Sequence, residues 1–385
     1  MLDLALKGSP RYFGWLGILL AVIGIGGAIY AWQFAVGLTI TGLNRDVSWG
    51  FYIAQLTYLV GVAAAGVMVV LPYYFHHYKD FRKMIILAEF QAVAAVLMCM
   101  LFVVVDLGQP QRMLNIIRYP TPNSILFWDM IVLNVYLFLN LVIGWVALQH
   151  ERNNVEPPKW VKPLVYTSIV WAFSIHTVTA FLYQGLPGRH YWLTAVLAAR
   201  FLASAFCSGP AILLLVALLV RRVSGYDVGE KAIKNLAKII TYAMIVNVFL
   251  FLLELFTAGY SNIPGHLHSF EFLFVGHDGH LTFVNYFMWA FAVGAVASLV
   301  LLIPPKLRDN MKLLPWSLAI LVAATWIDKG LGLMIGGFTP NAFEGVTPYA
   351  PTWQELGVSL MVYAIGALVL TVLYKVAVTV KREVA

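Results

Sequence analysis

Apolar residues run in long blocks along this chain, separated by short polar connections. Ten blocks stand out, over 15–40, 51–75, 84–106, 124–149, 161–184, 192–220, 236–258, 283–303, 313–336 and 355–380. A bilayer core needs about 20 apolar residues of helix to cross it, so each block predicts one transmembrane helix. No block alternates with period two, which excludes an outer-membrane barrel. The connections are too short to fold alone. The pattern therefore predicts an all-α, polytopic membrane protein with a single transmembrane domain over residues 1–385. The first block, from Trp15, exceeds the core of a secretion signal, and no small-residue cleavage site follows it. It reads as a retained anchor.

Charge orients these helices. Only Arg45, Arg112, Arg118 and Arg189 fall in the odd-numbered connections, against nineteen Lys and Arg at the N-terminus, in the even-numbered connections and at the C-terminal end. Positive residues stay on the cytoplasmic side, so both termini are expected there, in a cytoplasmic (inner) membrane. Tryptophans are expected to form interfacial belts, with Trp15, Trp145, Trp160 and Trp316 at the inner ends and Trp49, Trp128, Trp192 and Trp353 at the outer ends. Composition agrees: 61% of the 385 residues are hydrophobic, 11% are charged, and mean hydropathy is +0.82. The net charge of +7 reports the inner connections, so a nucleic-acid partner is excluded and the lipid bilayer is the first partner. The two cysteines, Cys99 and Cys207, lie in different blocks and form no CxxC motif. Iron–sulfur chemistry would have to come from another chain.

The outer connections are the chemically varied ones. The stretch 103–129, VVVDLGQPQRMLNIIRYPTPNSILFWD, leaves one block at Asp106 and enters the next at Asp129, with Arg112, Arg118 and three prolines between. The connection after block seven carries His266, His268, His277 and His280 and no Lys or Arg. GHLH and GHDGH offer imidazoles to a metal, but a hydrogen-bonded surface that docks a partner is the expectation there, with no metal.

Ionisable residues inside the blocks are the candidate chemistry. A charge at a helix centre costs about 2.5–3.5 kcal/mol, so each needs a purpose. Asp106, Asp129, Arg200, Glu254, Asp328 and Lys329 all fall toward the outer side, with Gln33 and Gln55. His176 lies near mid-depth, and only Glu89 is clearly in the inner half. That distribution suggests an outward-facing ligand pocket. Blander roles stand beside it. Arg200 would neutralise Asp129 or Glu254, Lys329 an acid on another helix, and His176 would donate to a carbonyl. Asp106 would bond its own connection, and Glu89 would snorkel. Asp328 and Lys329 are adjacent, point apart and need separate partners. The Gly-rich run at 24–28 suits close helix packing. Haem needs axial side chains from facing helices, and His176 is the one histidine well inside a block, since His76 and His77 sit at a boundary; haem is not expected. A solute transporter would show helices broken at mid-membrane, whereas the Gly and Pro breaks are read here as falling in the connections.

Several stretches resemble one family: NRDVSWGFYIAQ (44–55), DLGQPQRMLN (106–115), PTPNSILFWD (120–129), SIHTVTAFLYQGLPGRHYW (174–192), ARFLASAF (199–206) and TWIDKGLGLMIGGFTP (325–340). They are similar to the NrfD/PsrC-like membrane subunits of polysulfide-reductase type, over nearly the whole chain. Within that family they resemble the branch found in sulfite-reduction-associated DsrMKJOP-type complexes. The resemblance implies two four-helix bundles, over blocks 2–5 and 6–9, with two flanking helices. It also implies menaquinol or menaquinone bound near the outer face, with no haem or iron–sulfur cluster in this chain. Electrons would pass to a periplasmic ferredoxin-like iron–sulfur subunit docked there, with a multihaem cytochrome c and further membrane and cytoplasmic subunits nearby. A hydrogenase-linked subunit of the same family is the alternative. Quinol oxidation releases two electrons and two protons, so a pocket needs apolar walls and proton acceptors. Asp106, Asp129, His176 and Arg200 are the expected first-rank groups, with Glu254, Asp328 and Lys329 behind them and Trp128 as a further quinone contact. A carboxylate beside Arg200 is expected to orient His176. Glu89, Asn134 and Asn140 would extend a proton route inward.

Overall fold

The computed structural model describes residues 1–75, 78–277, 279 and 281–384; His76, His77 and His280 lie outside the described residues. No strand occurs among the described residues, and ten helices are long and apolar enough to cross a membrane. They are span 1 (Pro10–Ile40), span 2 (Phe51–Phe75), span 3 (Lys79–Asp106), span 4 (Ile125–Arg152), span 5 (Val161–Gln184), span 6 (Leu197–Ser224), span 7 (Glu230–Ser261), span 8 (Phe283–Leu302), span 9 (Leu314–Phe338) and span 10 (Trp353–Glu383). Local chemistry sets several ends. Ser9 caps span 1 through its hydroxyl, which accepts from the Tyr12 amide at 3.3 Å, with Pro10 at the first helical position. Span 6 closes on Gly225 at φ +70°, with Arg221 and Arg222 in its last turn against the helix dipole.

Spans 2, 3, 4 and 5 close one four-helix ring, and spans 6, 7, 8 and 9 close a second. The rings meet where spans 2 and 5 pack on span 6 and span 2 meets span 9. Span 1 lies on span 10, which packs against spans 3 and 4. The two-bundle expectation with two flanking helices therefore holds. Gly26 is the member of the Gly-rich run that makes close packing: a Cβ there would sit 2.8 Å from the Gly357 carbonyl, while Gly24 has nothing within 4 Å.

Span 2 is the axis of the molecule. Every residue from Phe51 to Gly66 is buried, sheathed by spans 3, 5, 6 and 9. Close approach to span 6 depends on Gly209, where a Cβ would lie 2.9 Å from the Gly61 carbonyl.

Two sequence expectations need correction. Helix breaks do occur inside spans. Span 2 tightens to a 3₁₀ turn at Ala64–Gly66, and span 9 widens to a π-helix at Ile327–Gly332. The π-turn accommodates two buried charged neighbours, Asp328 and Lys329, and neither break carries a proline within it to announce it. Trp192 and Trp49 are also not belt residues. Trp192 is fully buried and donates to the Leu333 carbonyl at 2.8 Å, and Trp49 stacks on it at 6.1 Å. Tyr183 and Phe338 complete this aromatic cluster, with centroids 5.2 and 5.0 Å from Trp192. An indole fills a junction of three segments and still finds an acceptor there, which outweighs the interface. Trp15, Trp128, Trp160, Trp316 and Trp353 remain on the exterior.

Candidate functional site

Arg200 sits in the first turn of span 6 and reaches two other helices of the second bundle. Its Nη1 donates to Glu254 Oε2 on span 7, and its Nη2 donates to Asp328 Oδ1 on span 9 at 2.9 Å. The three side chains are 7, 8 and 4% exposed. The Phe251 ring covers the guanidinium at 5.2 Å. A rigid planar fork of donors is what lets one residue serve two carboxylates. One cation thus faces two acids. The second oxygen of Glu254, Oε1, has no hydrogen-bond partner, nor does the hydroxyl of Tyr191.

Lys329, next to Asp328 in the π-turn, points away from this triad. Its ammonium donates to the Phe201 carbonyl at 3.1 Å and lies 4.5 Å over the Phe201 ring. No ion pair with an acid is formed by it among the described residues. A Cβ at Gly61 would come within 3.0 Å of the lysine nitrogen, so the charge rests against the backbone of span 2. The expectation of separate partners for the two neighbours holds, but the partner of Lys329 is a carbonyl and a ring rather than an acid.

On the first-bundle side, span 2 faces a second polar group. Asp129 on span 4 accepts from the Thr179 hydroxyl on span 5 at 2.6 Å. One turn on, the Tyr183 hydroxyl bonds Thr57 of span 2, whose hydroxyl also reaches the Ile53 carbonyl at 2.7 Å. His176, fully buried on span 5, places Nδ1 2.6 Å from the Ala172 carbonyl. A carbonyl can only accept, so Nδ1 carries the proton and Nε2 presents a lone pair. That lone pair has no partner. The expected orienting carboxylate is thus replaced by a carbonyl of the same helix, because the acids nearest Arg200 are already engaged by it. Asp129, likewise, is bonded to a hydroxyl and not to Arg200.

Asp106 ends span 3 in a third polar group shared with spans 1, 2 and 10. Its Oδ1 is buried without a partner. Beside it, Gln33 donates to the Val105 carbonyl at 2.6 Å and accepts from the Tyr52 hydroxyl at 2.7 Å. Glu355 accepts from the Gly42 and Thr352 amides at 2.8 and 2.9 Å and from the Tyr349 hydroxyl at 2.6 Å. Tyr349, in the connection before span 10, is held far above the usual phenol range. Burial is the main cause, followed by the Glu355 carboxylate, with a smaller push from Asp106. Sequence reasoning missed Glu355, Tyr52, Thr57, Thr179, Tyr183 and Tyr191. Hydroxyls inside apolar blocks are a weak signal, and Glu355 reads as an ordinary first-turn acid.

Two expected residues stay apart from these groups. Trp128 is 47% exposed and donates to the Pro122 carbonyl at 2.8 Å. Glu89, in the Lys79 half of span 3, does not snorkel: it is 4% exposed and its Oε2 has no partner. Asn134 and Asn140 donate to carbonyls of their own helix, both at 2.8 Å.

The polar side chains thus fall into three groups: Arg200, Glu254 and Asp328 joining spans 6, 7 and 9; Asp129 with Thr179 joining span 4 to span 5, the helix that also carries His176; and Asp106, Gln33 and Glu355 where spans 1, 3 and 10 meet. Each group holds one unsatisfied buried acceptor atom: Glu254 Oε1, His176 Nε2 and Asp106 Oδ1. Buried polar atoms normally find partners, so each of these calls for an explanation, of which a bound group is one.

Comparison with known proteins agrees with this architecture. The family described as polysulphide reductase, NrfD, matches residues 39–341, which are spans 2–9 with their connections. The chain is 24% identical to a putative dimethyl sulfoxide reductase membrane subunit of Halobacterium salinarum, over 92% of this chain and 89% of that one. It is 23% identical to the "Hdr-like menaquinol oxidoreductase integral membrane subunit" of Archaeoglobus fulgidus, over 93 and 92%. It is 25% identical to the "Menaquinone reductase, integral membrane subunit" of Nitratidesulfovibrio vulgaris, over 95 and 91%. Ten apolar helices in two bundles and a match across both of them lead to one conclusion: the chain is a multi-pass integral membrane protein that belongs to the NrfD polysulphide reductase family.

Proposed function

We propose that this chain is the quinone-reacting membrane subunit of a respiratory electron-transfer complex. It exchanges electrons between menaquinol or menaquinone and an iron–sulfur subunit docked on the outer face. The observation that carries the reading is the set of unsatisfied buried acceptors around span 2. A quinol brings two hydroxyl donors on a flat apolar ring, and it gives up two electrons and two protons. His176 Nε2, Asp106 Oδ1 and Glu254 Oε1 are acceptors of the kind those hydroxyls require. Relatives named for menaquinol and menaquinone chemistry support the same substrate.

In this reading His176 takes a proton at Nε2 while its Nδ1 bond to Ala172 holds the ring in place. Asp129 and Asp106 receive or relay protons at the outer side. Arg200 holds Glu254 and Asp328 in fixed positions, so the field at the pocket is set before any substrate arrives. Lys329 supplies a positive charge beside span 2. Apolar side chains exclude water, and the electrons leave to the partner. Glu89 begins a proton route toward the Lys- and Arg-rich end, which is the cytoplasmic side by the charge rule, with both termini there in the inner membrane. The partners proposed are a periplasmic ferredoxin-like subunit and a multihaem cytochrome c in a sulfite-reduction-associated complex, which rests on the motif resemblance.

One observation favours a solute transporter instead. Spans 2 and 9 are both broken within the membrane-spanning stretch, as transporter helices are at their sites. Purification of the tagged chain from native membranes separates the two. Iron–sulfur chains that co-purify and are reduced by a menaquinol analogue support the quinone reading. A lone, colourless protein with no quinone-linked signal overturns it and directs attention to solute uptake.

A further inference from the structure

We infer that the outer surface carries a divalent-cation site, built from His268, His277 and Glu344, that ties two connections together. It is independent of the quinone reading. His268 lies on the short helix Pro264–Phe274 between spans 7 and 8, and His277 follows that helix. Glu344 comes from the connection between spans 9 and 10, 76 residues away from His268. One ligand atom from each of the three lies within 4.8 Å of the others. The two imidazole rings face each other with centroids 4.5 Å apart, and His268 Nδ1 is 2.6 Å from Glu344 Oε2.

The distances suit a small ion. Zinc binds imidazole nitrogen and carboxylate oxygen at about 2.0–2.2 Å, so two donors of a tetrahedral site stand about 3.3–3.6 Å apart. Side-chain rotation must draw in the outermost pair and open the directly bonded His268–Glu344 pair, each by about 1 Å. The donor set is two imidazoles and one carboxylate without a thiolate, which selects zinc or a neighbouring first-row ion over calcium or magnesium. Three protein ligands leave a fourth tetrahedral position for water.

The surroundings are built for it. Glu271, one turn after His268, has a carboxylate oxygen 3.7 Å from His277 Nδ1, the place of an outer carboxylate that orients a ligating histidine. Glu344 sits at φ +63°, a conformation that a glutamate avoids. Asn341 holds it there, accepting from the Phe343 and Gly345 amides at 2.9 and 3.0 Å. The side chains of His268 and His277 are 28 and 13% exposed, open enough for an ion to enter. The sequence alone leads to a metal-free docking surface here, because nothing in the spacing links Glu344 to the histidines.

The test uses the full chain in detergent, purified on a tag without histidine and equilibrated with chelator-buffered Zn²⁺. Zinc per chain is then measured by elemental analysis, and Co²⁺ is substituted to read the ligand field. The inference expects about one zinc per chain and a tetrahedral cobalt spectrum. His268→Ala and Glu344→Gln lose both, and Glu271→Gln weakens binding about 10- to 100-fold. His277→Gln serves as a second ligand variant if either of the first two fails to elute as folded protein. A wild-type chain with no zinc above a buffer blank overturns the inference. So does zinc retained equally by folded His268→Ala and Glu344→Gln chains, which would place the ion elsewhere.

Discussion

Arg200 holds two carboxylates on two other helices, so its loss should be felt far beyond one contact. Arg200→Gln leaves Glu254 and Asp328 buried without a counter-charge. Breaking a buried pair from one side costs about 3–5 kcal/mol. Thermal unfolding in detergent should show a clear fall in midpoint, and an unchanged midpoint would contradict the triad. Arg200→Lys should rescue it poorly, since one ammonium nitrogen does not reproduce the spread of two guanidinium nitrogens that reach acids on two helices. Asp129→Asn behaves differently. The amide still accepts from Thr179, so stability should hold while quinol-linked turnover falls. Equal loss of folding and turnover would make Asp129 a structural residue only. At this scale much was legible: a charge within an apolar block stands out on cost alone, and Arg200, Glu254, Asp328, Lys329 and Glu89 were visible for that reason. Their pairing was not. Arg200 is 54 residues from Glu254 and 128 from Asp328, and only the packing of helices brings them together. Hydroxyls such as Thr57 and Tyr183 cost little in a helix and so left no trace.

Span 2 shows how an element can be organised by its neighbours. An apolar helix reads alike whether it faces lipid or protein, so the burial of every residue from Phe51 to Gly66 could not be read from hydropathy. The 3₁₀ turn at Ala64–Gly66 and the π-turn at Ile327–Gly332 were also hidden, because no proline inside them announces a kink. Glycine carries the contact between the bundles. Gly209→Ala pushes a methyl toward the Gly61 carbonyl, and overpacking of this kind costs about 1–3 kcal/mol. A lower midpoint is expected. Gly61→Ala presses on the Lys329 ammonium instead, so its expected effect is on turnover more than on folding. Indifference of both variants in both assays would mean that the two bundles are less closely coupled than their packing implies.

The whole molecule is a pair of four-helix bundles with charge biased to one end. Helix count and the off-centre polar residues were foreshadowed by block length and residue type, while bundle membership came only from the family resemblance. The short connections left little other room. Topology is the expectation that a simple measurement can settle. Cys99 and Cys207 are fully buried and should stay silent to a membrane-impermeant maleimide. Thr121→Cys, in the connection between spans 3 and 4, should label in intact spheroplasts. Asn154→Cys, between spans 4 and 5, should label only after permeabilisation. The reverse pattern would invert the protein and move the polar groups to the other face.

Reaction of quinol with the polar groups around span 2 is the central claim. The direct measurement is anaerobic mixing of the purified complex with a menaquinol analogue, following reduction of the partner's iron–sulfur clusters. The wild-type complex is compared with a His176→Gln complex of equal cluster content. A positioned acid–base group is worth about 10²- to 10⁴-fold in rate, so the variant should slow reduction by that order. Reduction at the wild-type rate in a fully assembled His176→Gln complex would contradict the claim.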